Sequence, residues 1–174
     1  ARKFRLGLSP SAATVDSLRE HLLAEGYTVE QMVEAGLSRP SKEGVARDFF
    51  RGRLMFPIAN RRGRIAGFGA RALGDSEPKY INTAGTDVFD KQAMLYGLNL
   101  ASDAIRVRGA VVVVEGYMDV IAAHKHDHAN VVASMGTALT DAQVTQLRSL
   151  ADSVVLALDA DAAGQEATVR KLEE

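Results

Sequence analysis

Three short apolar stretches that alternate with helical patterns constrain the fold of this chain more than any other feature. Ala110–Val114, Asn130–Ala133 and Val154–Leu158 are rich in valine and nearly free of polar side chains, which is typical of buried strands in a parallel sheet. Each stretch precedes a segment whose apolar residues have helical spacing, at 117–126, 140–150 and 164–173. This alternation predicts an α/β unit built around a mainly parallel sheet.

Two of these strands lead directly into carboxylates. Glu115 follows the first strand, Asp159 and Asp161 follow the third, and Asp119 lies one helical turn beyond Glu115. Right-handed crossovers bring the carboxyl ends of parallel strands to one edge of the sheet, so we expect these side chains to converge. Carboxylates in such a cluster suit a hard divalent cation and phosphoryl transfer. The alternative is that Glu115 caps the next helix and the aspartates occupy a first helical turn, where acids are favoured.

The first hundred residues have a different pattern. Helical spacing predicts helices at 14–25, with Thr14 or Ser11 as N-cap, and at 29–35, whereas 38–48 is polar and is predicted to be a loop. A hairpin is expected from Arg53–Ile58 and Arg64–Arg71, which flank the turn residues 60–63. Pro57 favours either an edge position or an early kink for the first of these strands. The glycines at 67 and 69 indicate a bulge or a close approach by another backbone. Residues 74–94 are loop-rich, and a short helix is expected at 101–105. An α+β subdomain is therefore predicted.

The formal net charge of −1 conceals two oppositely charged regions. Residues 51–91 hold eight basic and four acidic side chains, a net charge of +4, whereas residues 110–174 hold four basic and ten acidic side chains, a net charge of −6. A polyanion bound by the first region and a cation bound by the second would explain both net charges, although chance clustering of solvated charges explains them equally well.

The chain has no cysteine, which excludes disulfides and cysteine-bound zinc. The absence of cysteine fits a reducing cytoplasm, where we expect the protein to be. The sequence also has no apolar run near the ~20 residues of a spanning helix.

Several segments, taken together, resemble a known family. VVVVEGYMDV at 111–120, SMGTALT at 134–140 and LDADAAG at 158–164 are similar to the TOPRIM domain of bacterial DNA primases. FRGRLMFPI at 50–58, GFGAR at 67–71, EPKYINT at 77–83, FDK at 89–91 and LYGL at 95–98 resemble the primase-specific subdomain that precedes it. The resemblance covers nearly the whole chain and implies two domains: an α+β subdomain at 1–109 and a Rossmann-like TOPRIM domain at 110–174, truncated at its C-terminal end.

The resemblance also implies roles for individual residues. It implies that Glu115, Asp159 and Asp161 are catalytic and coordinate Mg²⁺ or Mn²⁺, with Asp119 close by. It implies a site for nucleotide and template formed by Lys79, Tyr80, Asn82, Lys91, Arg71, Arg51 and Arg53. Its activity would be template-directed synthesis of short RNA primers on single-stranded DNA from ribonucleoside triphosphates. Basic side chains supply salt-dependent phosphate contacts, and an aromatic ring offers a stacking face for a base. A buried structural role for Tyr80 is the alternative.

The chain departs from the family pattern in some places. An arginine often precedes the Phe-Arg pair in this family, but here Phe49 precedes Phe50 and Arg51, so we expect one basic contact fewer. A further acidic pair, the zinc-binding module and the domain that binds the replicative helicase are expected outside the chain, which we interpret as an excised fragment without zinc.

Two other functions are consistent with the sequence. Another TOPRIM enzyme, a nuclease or a topoisomerase-like strand breaker, would share the acidic cluster. A nucleic-acid-binding module that had lost activity would share the fold, although intact Glu115, Asp159 and Asp161 argue against it. Gly136 and Thr137 either contact phosphate through their backbone or form a tight turn.

Overall fold

The computed structural model describes residues 2–11, 16–40, 45–136 and 138–159 of the chain. These residues form two compact units. Those of the first lie within Ala1–Ile58 and Ile65–Asp90, and those of the second lie within Ala59–Arg64 and Lys91–Glu174. Predictions that concern Thr14, Thr137, Asp161 or the helix at 164–173 lie outside the described residues.

The first unit opens with a short strand and two helices, which are β1 (Gly7–Leu8), α1 (Ser17–Ala24) and α2 (Val29–Glu34). Helix α1 begins after Asp16, not after the predicted Ser11. The carboxylate of Asp48, from a later strand, accepts the backbone N–H groups of Leu18 and Arg19 at 2.8 and 2.9 Å. Thus a distant residue satisfies the first N–H groups of α1, which local sequence rules do not anticipate.

Residues 38–48 are not simply a loop, as their polar composition had suggested. They contain two short antiparallel strands, β2 (Ser38–Pro40) and β3 (Ala46–Asp48), in which Arg39 lies opposite Arg47. Ser38, Ala46 and Asp48 are buried. The prediction was wrong because tertiary pairing, and not strand propensity, stabilises these strands.

The predicted hairpin is confirmed as β4 (Arg53–Ala59) and β5 (Ile65–Ala72). With β1 and β6 (Tyr80–Asn82) they form a four-stranded sheet in the order β1-β4-β5-β6. Strand β4 is therefore internal, and the edge position predicted from Pro57 was wrong. The neighbouring strand β1 pairs with Leu54 and Met55 of β4 and ends before Pro57. Proline is tolerated at that position because its missing N–H removes no hydrogen bond to β1.

Gly67 in β5 is closely approached by side chains, and not by the backbone that the sequence had suggested. A Cβ atom added at Gly67 would lie 2.8 Å from the ring of Phe89 and 3.2 Å from Cβ of Thr83. Phe89 is 1% exposed, and the Thr83 hydroxyl accepts the backbone N–H of Phe68 at 2.9 Å. These contacts attach the segment that follows β6 to the sheet.

The second unit contains the predicted alternation of strands and helices. Its elements are α3 (Leu98–Arg108), β7 (Ala110–Val114), α4 (Tyr117–Lys125), β8 (Val131–Ala133), α5 (Asp141–Arg148) and β9 (Ser153–Leu156). The three strands pair in parallel, as predicted, and their order is β8-β7-β9. Thr140 is the N-cap of α5 and forms a capping box with Gln143.

The core of this second unit is aliphatic. Val111 and Val113 of β7 are fully buried against Ile105 of α3, Val132 of β8 and Leu147 of α5. Each such side chain contributes roughly 1.5–3 kcal/mol by its burial. Helix α3 is longer than the predicted 101–105, because Leu98 and Ile105 both pack into this core.

The fold class is confirmed: a mixed α and β unit precedes a unit with a parallel three-stranded sheet. Within the described ranges, no helix is long and apolar enough to cross a membrane.

Candidate functional site

A basic groove lies in the first unit, with a volume of about 780 Å³. Four arginines line it, together with one acid, Asp48, whose carboxylate is already bonded to the N-terminus of α1. The groove is therefore suited to a polyanion. Its walls are formed by Arg39, Pro40, Arg47, Asp48, Phe49, Arg51, Arg53, Ser76, Pro78, Ile81 and Asn82.

Arg51 and Arg53 are two residues apart, but their side chains have different surroundings. Arg51 is exposed, and its neighbour Phe50 is 2% exposed and anchors the chain in the core. Arg53 is only 8% exposed. Its Nη1 donates hydrogen bonds to the backbone carbonyls of Pro78 at 2.8 Å and Lys79 at 3.5 Å. The guanidinium of Arg53 therefore supports the segment that leads into β6, whereas Arg51 extends to solvent.

The polar residues of the Lys79–Asn82 segment lie at the edge of the sheet. Tyr80 pairs across β5–β6 with Arg71, whose guanidinium carbon is 6.0 Å from the tyrosine ring centroid. Tyr80 is 42% exposed, so the alternative of a buried structural tyrosine is wrong. Asn82 follows Tyr80 at the alternate position, which places both side chains on the same face of the strand. Lys79 is exposed, and its N–H donates to the Glu77 carboxylate at 3.0 Å.

In the second unit, Glu115 and Asp159 lie side by side at the carboxyl edge of the sheet. The backbone N–H of Asp159 donates to Oε1 of Glu115 at 3.1 Å. Both residues follow strands that are adjacent in the sheet, β7 and β9, which explains this proximity. Glu115 is partly buried and Asp159 is exposed.

Asp119 has a local partner. Its carboxylate accepts the backbone N–H of Gly116 at 3.1 Å, so it closes the first turn of α4. The helix-capping role that was the alternative for Glu115 therefore belongs to Asp119. Within the described ranges, no three acidic or histidine side chains form a group that could hold a metal ion. Asp161, the third predicted ligand, lies outside those ranges.

The turn after β8 closes over the end of β7. Ser134 donates its N–H to the carbonyl of Val114, and Gly136 donates its N–H to the carbonyl of Glu115, both at 3.2 Å. Met135 and Gly136 have positive φ angles of 65° and 79°. The N–H of Gly136 is thus bonded to the carbonyl of Glu115, and the turn at Met135 and Gly136 holds the backbone at Glu115 in place.

Lys91 belongs to a segment that α5 holds in place. The side-chain amide of Gln143, which is fully buried, donates to the carbonyl of Lys91 at 3.3 Å and to that of Met94 at 2.8 Å. Gln146 donates likewise to the carbonyl of Ala93. The polar face of α5 therefore positions the backbone that carries Lys91.

The sequence interpretation missed two basic residues of the groove, Arg39 and Arg47. Both lie in the strand pair β2–β3, in the segment that had been predicted as a loop. The guanidinium carbon of Arg39 is 3.6 Å from the ring centroid of Phe49. The sequence Ala46-Arg47-Asp48 has one apolar residue followed by two charged ones, so it gives no period-2 signal for a strand.

Comparisons with known proteins agree with this architecture. Residues 1–102 match the family described as DNA primase catalytic core, N-terminal domain, and residues 112–174 match a family described as Toprim-like. A DNA primase of Deinococcus radiodurans is 45% identical over 173 residues, which are 98% of this chain and 30% of that protein. The chain thus spans less than a third of the length of this curated relative.

Solved structures give the same result. The RNA polymerase domain of Mycobacterium tuberculosis primase DnaG is 38% identical with a TM-score of 0.89, over 100% of this chain and 59% of that one. A DnaG primase catalytic domain bound to single-stranded DNA is 35% identical with a TM-score of 0.87, over 99% of this chain and 53% of that one. The chain therefore belongs to the family of bacterial DnaG-type DNA primases and carries part of their catalytic core.

Proposed function

We propose that this chain takes part in the synthesis of short RNA primers on single-stranded DNA by metal-dependent nucleotidyl transfer. The observation that carries the proposal is the contact between Glu115 and Asp159 at the carboxyl edge of a Toprim-type sheet. Whole relatives described as DNA primases support the same activity for the longer protein. We further propose that residues 1–109 serve as the primase-specific subdomain and residues 110–174 as the TOPRIM domain.

The acidic edge suits Mg²⁺ or Mn²⁺ by the chemistry of its donors. Glu115 and Asp159 supply carboxylate oxygens, which hard divalent cations prefer, and Asp161 is proposed as the third ligand. Asp119 fixes the start of α4 next to them. A cation held by these carboxylates would supply positive charge beside the triphosphate of an incoming ribonucleotide.

The first unit supplies the surface for the template. Arg51 pairs with template phosphates from its exposed position, and Arg53 supports the Pro78–Lys79 backbone. Lys79 and Arg71 provide cationic groups and Tyr80 a ring face on which a base stacks. Asn82 contributes hydrogen bonds from the groove wall. In the second unit Lys91 serves as a further phosphate contact, and α5 holds its backbone in place.

The partners and location follow from this assignment. The ligands are single-stranded DNA, ribonucleoside triphosphates and the RNA primer. The replicative helicase binds the longer protein through a domain outside this chain, and the complex works in the bacterial cytoplasm. The chain contains no cysteine, so these 174 residues cannot form a cysteine-bound zinc site of the zinc-ribbon kind.

Primer synthesis on an oligo(dT) template tests the proposal. The assay uses labelled ATP with Mg²⁺ or Mn²⁺, and labelled CTP as the control for template dependence. We expect labelled RNA from ATP only, and a fall of about 10²-fold or more in Glu115→Gln and in Asp159→Asn, because removal of a ligand charge weakens transition-state stabilisation. Asp103→Asn, an exposed acid on α3, is the matched control.

The same assay is run on a longer chain that continues past residue 174. Product from the longer chain alone would indicate that the carboxylates need the residues that follow them. Synthesis that persists in both carboxylate variants would contradict the proposal. Metal-dependent nicking of DNA in the absence of RNA synthesis would favour a nuclease of the TOPRIM class.

A further inference from the structure

Arg39 lines the basic groove but belongs to none of the sequence motifs described above. It lies directly opposite Arg47 in the pair of strands β2 and β3, and both side chains line the basic groove. Like charges at directly opposite positions in an antiparallel pair destabilise it. The two guanidinium groups therefore concentrate positive charge at this wall of the groove.

The guanidinium of Arg39 is held in place by an aromatic ring. Its central carbon is 3.6 Å from the ring centroid of Phe49, a distance typical of a stacked cation–π contact. Stacking occupies the face of the planar guanidinium and leaves the N–H groups at its edge available for hydrogen bonds. Within the described ranges, the guanidinium of Arg39 has no hydrogen-bond or ion-pair partner.

The ring that supports Arg39 is itself rigidly placed. Phe49 donates its backbone N–H to the carbonyl of Leu37 at 2.8 Å. Its ring centroid is 4.6 Å from that of Phe50, which is 2% exposed and packs edge-to-face on Phe68. Fixing the guanidinium on this ring before binding reduces the rotamer entropy that a long side chain loses when it contacts a ligand.

The carboxylate of Asp48, the acid that lines the groove, is bonded to the start of α1. Both oxygens of Asp48 accept backbone N–H groups of α1, and the residue is 4% exposed. Arg39 and Arg51 both line the groove and contribute positive charge to it.

We infer that Arg39, stacked on Phe49, binds a phosphodiester group of single-stranded DNA and extends the phosphate-binding surface of the groove beyond Arg51. This inference rests on the proposed function, because it names an additional contact for the same template. Phe49 acts as a positioning residue, since its ring orients the guanidinium and need not touch DNA. The pairing of a planar guanidinium with phosphate oxygens is favourable in both charge and geometry.

Fluorescence anisotropy with a labelled oligo(dT) tests the inference in the 174-residue chain, without nucleotides, over a series of salt concentrations. In Arg39→Ala we expect roughly five- to tenfold weaker binding at low salt. We also expect a decrease of about 0.7 in the slope of log K against log salt, the value for one lost phosphate contact with a single strand. Arg106→Ala, which removes one charge from α3, is the matched control and should change neither quantity.

Phe49→Leu separates positioning from charge. It removes the ring but keeps the cation, so we expect about two- to threefold weaker binding with an unchanged salt slope. In Arg39→Ala with Phe49→Leu, the second substitution should have no further effect, because the ring then has no guanidinium to orient. Urea unfolding of each variant shows whether it is folded under the binding conditions.

The possible results separate the two proposals. If the parent chain binds oligo(dT) but Arg39→Ala retains both the affinity and the salt slope, the inference about Arg39 is overturned and the proposed function stands. A parent chain that fails to bind oligo(dT) at low salt would overturn both. Equal losses in Arg39→Ala and Arg106→Ala would also overturn the inference, since they would reflect total charge and not a local contact.

Discussion

The backbone N–H of Asp159 donates a hydrogen bond to the Glu115 carboxylate across two neighbouring strands, with a length of 3.1 Å. Parallel pairing sets this relationship, because Val113 of β7 is the register partner of Leu156 of β9. The two acids are 44 residues apart in sequence, yet both follow the strand ends by only one to three residues. The position of the proposed metal ligands is therefore a property of the sheet and not of a local loop.

Arg53 and Arg51 should respond differently to substitution. Arg53→Ala removes the donor to the carbonyls of Pro78 and Lys79, so we expect a loss of about 1–3 kcal/mol in the free energy of unfolding. Because Arg53 does not contact phosphate in this account, the salt slope of DNA binding stays unchanged. Arg51→Ala should leave stability unchanged and lower that slope by about 0.7. Urea titrations and anisotropy measure the two effects, and the opposite pattern would exchange the roles of these arginines.

Gly67 should not tolerate a methyl group. In Gly67→Ala the added Cβ would lie 2.8 Å from the buried ring of Phe89, and we expect a cost of about 1–3 kcal/mol in the free energy of unfolding. Gly74→Ala is the matched control, since a Cβ at that position meets nothing within 4 Å. Equal urea midpoints for the two variants would show that the Phe89 ring moves away freely.

Gln143 should be important for stability although it is polar and its helix is short. Gln143→Leu leaves the carbonyls of Lys91 and Met94 without their donor and breaks the capping box with Thr140. We expect a loss of about 2–3 kcal/mol, which combines the weakened cap with two part-buried carbonyls that lose their donor. Thermal or urea unfolding measures it, and a stability equal to that of the parent would mean that the 91–96 segment finds other donors.

Tyr96 makes stability sensitive to alkaline pH. Burial raises the pKa of Tyr96 above its ordinary value of 10.0. Its contribution is therefore complete below pH 10 and is lost as the pH rises, because the unfolded chain then releases a proton that the folded chain retains. Tyr96→Phe cannot ionise, so its free energy of unfolding should fall less steeply above about pH 10. Parallel urea midpoints of the two proteins from pH 8 to 11 would contradict this assignment.

The sequence predicted those parts of the structure that local patterns determine. Valine-rich runs indicated the parallel strands, and the helical spacing of apolar residues from 140 onward indicated α5. Glu115 and Asp159 were placed together because strand ends converge in any parallel sheet. Arg39 was missed because β2 and β3 depend on pairing with each other, and three-residue strands have no clear period.

The role of Arg53 could not be distinguished from that of Arg51 in the sequence. Both lie in the same basic segment, and only the fold shows that one guanidinium is buried against the Pro78 carbonyl. The predicted start of α1 was wrong for a similar reason, because its capping group is the carboxylate of Asp48, which lies 30 residues beyond Leu18. Predictions of burial and of long-range capping require tertiary contacts, which a single sequence does not reveal.

Binding of Mn²⁺ to the chain tests the account most directly, because it examines the carboxylates without requiring turnover. Free Mn²⁺ is measured by its electron paramagnetic resonance signal during titration of the parent chain, Glu115→Gln, Asp159→Asn and the control Asp103→Asn. The account predicts that the parent and the control bind Mn²⁺ alike and that each of the other variants binds at least about tenfold more weakly. Equal Mn²⁺ affinity in all four proteins would contradict the assignment of Glu115 and Asp159 as metal ligands.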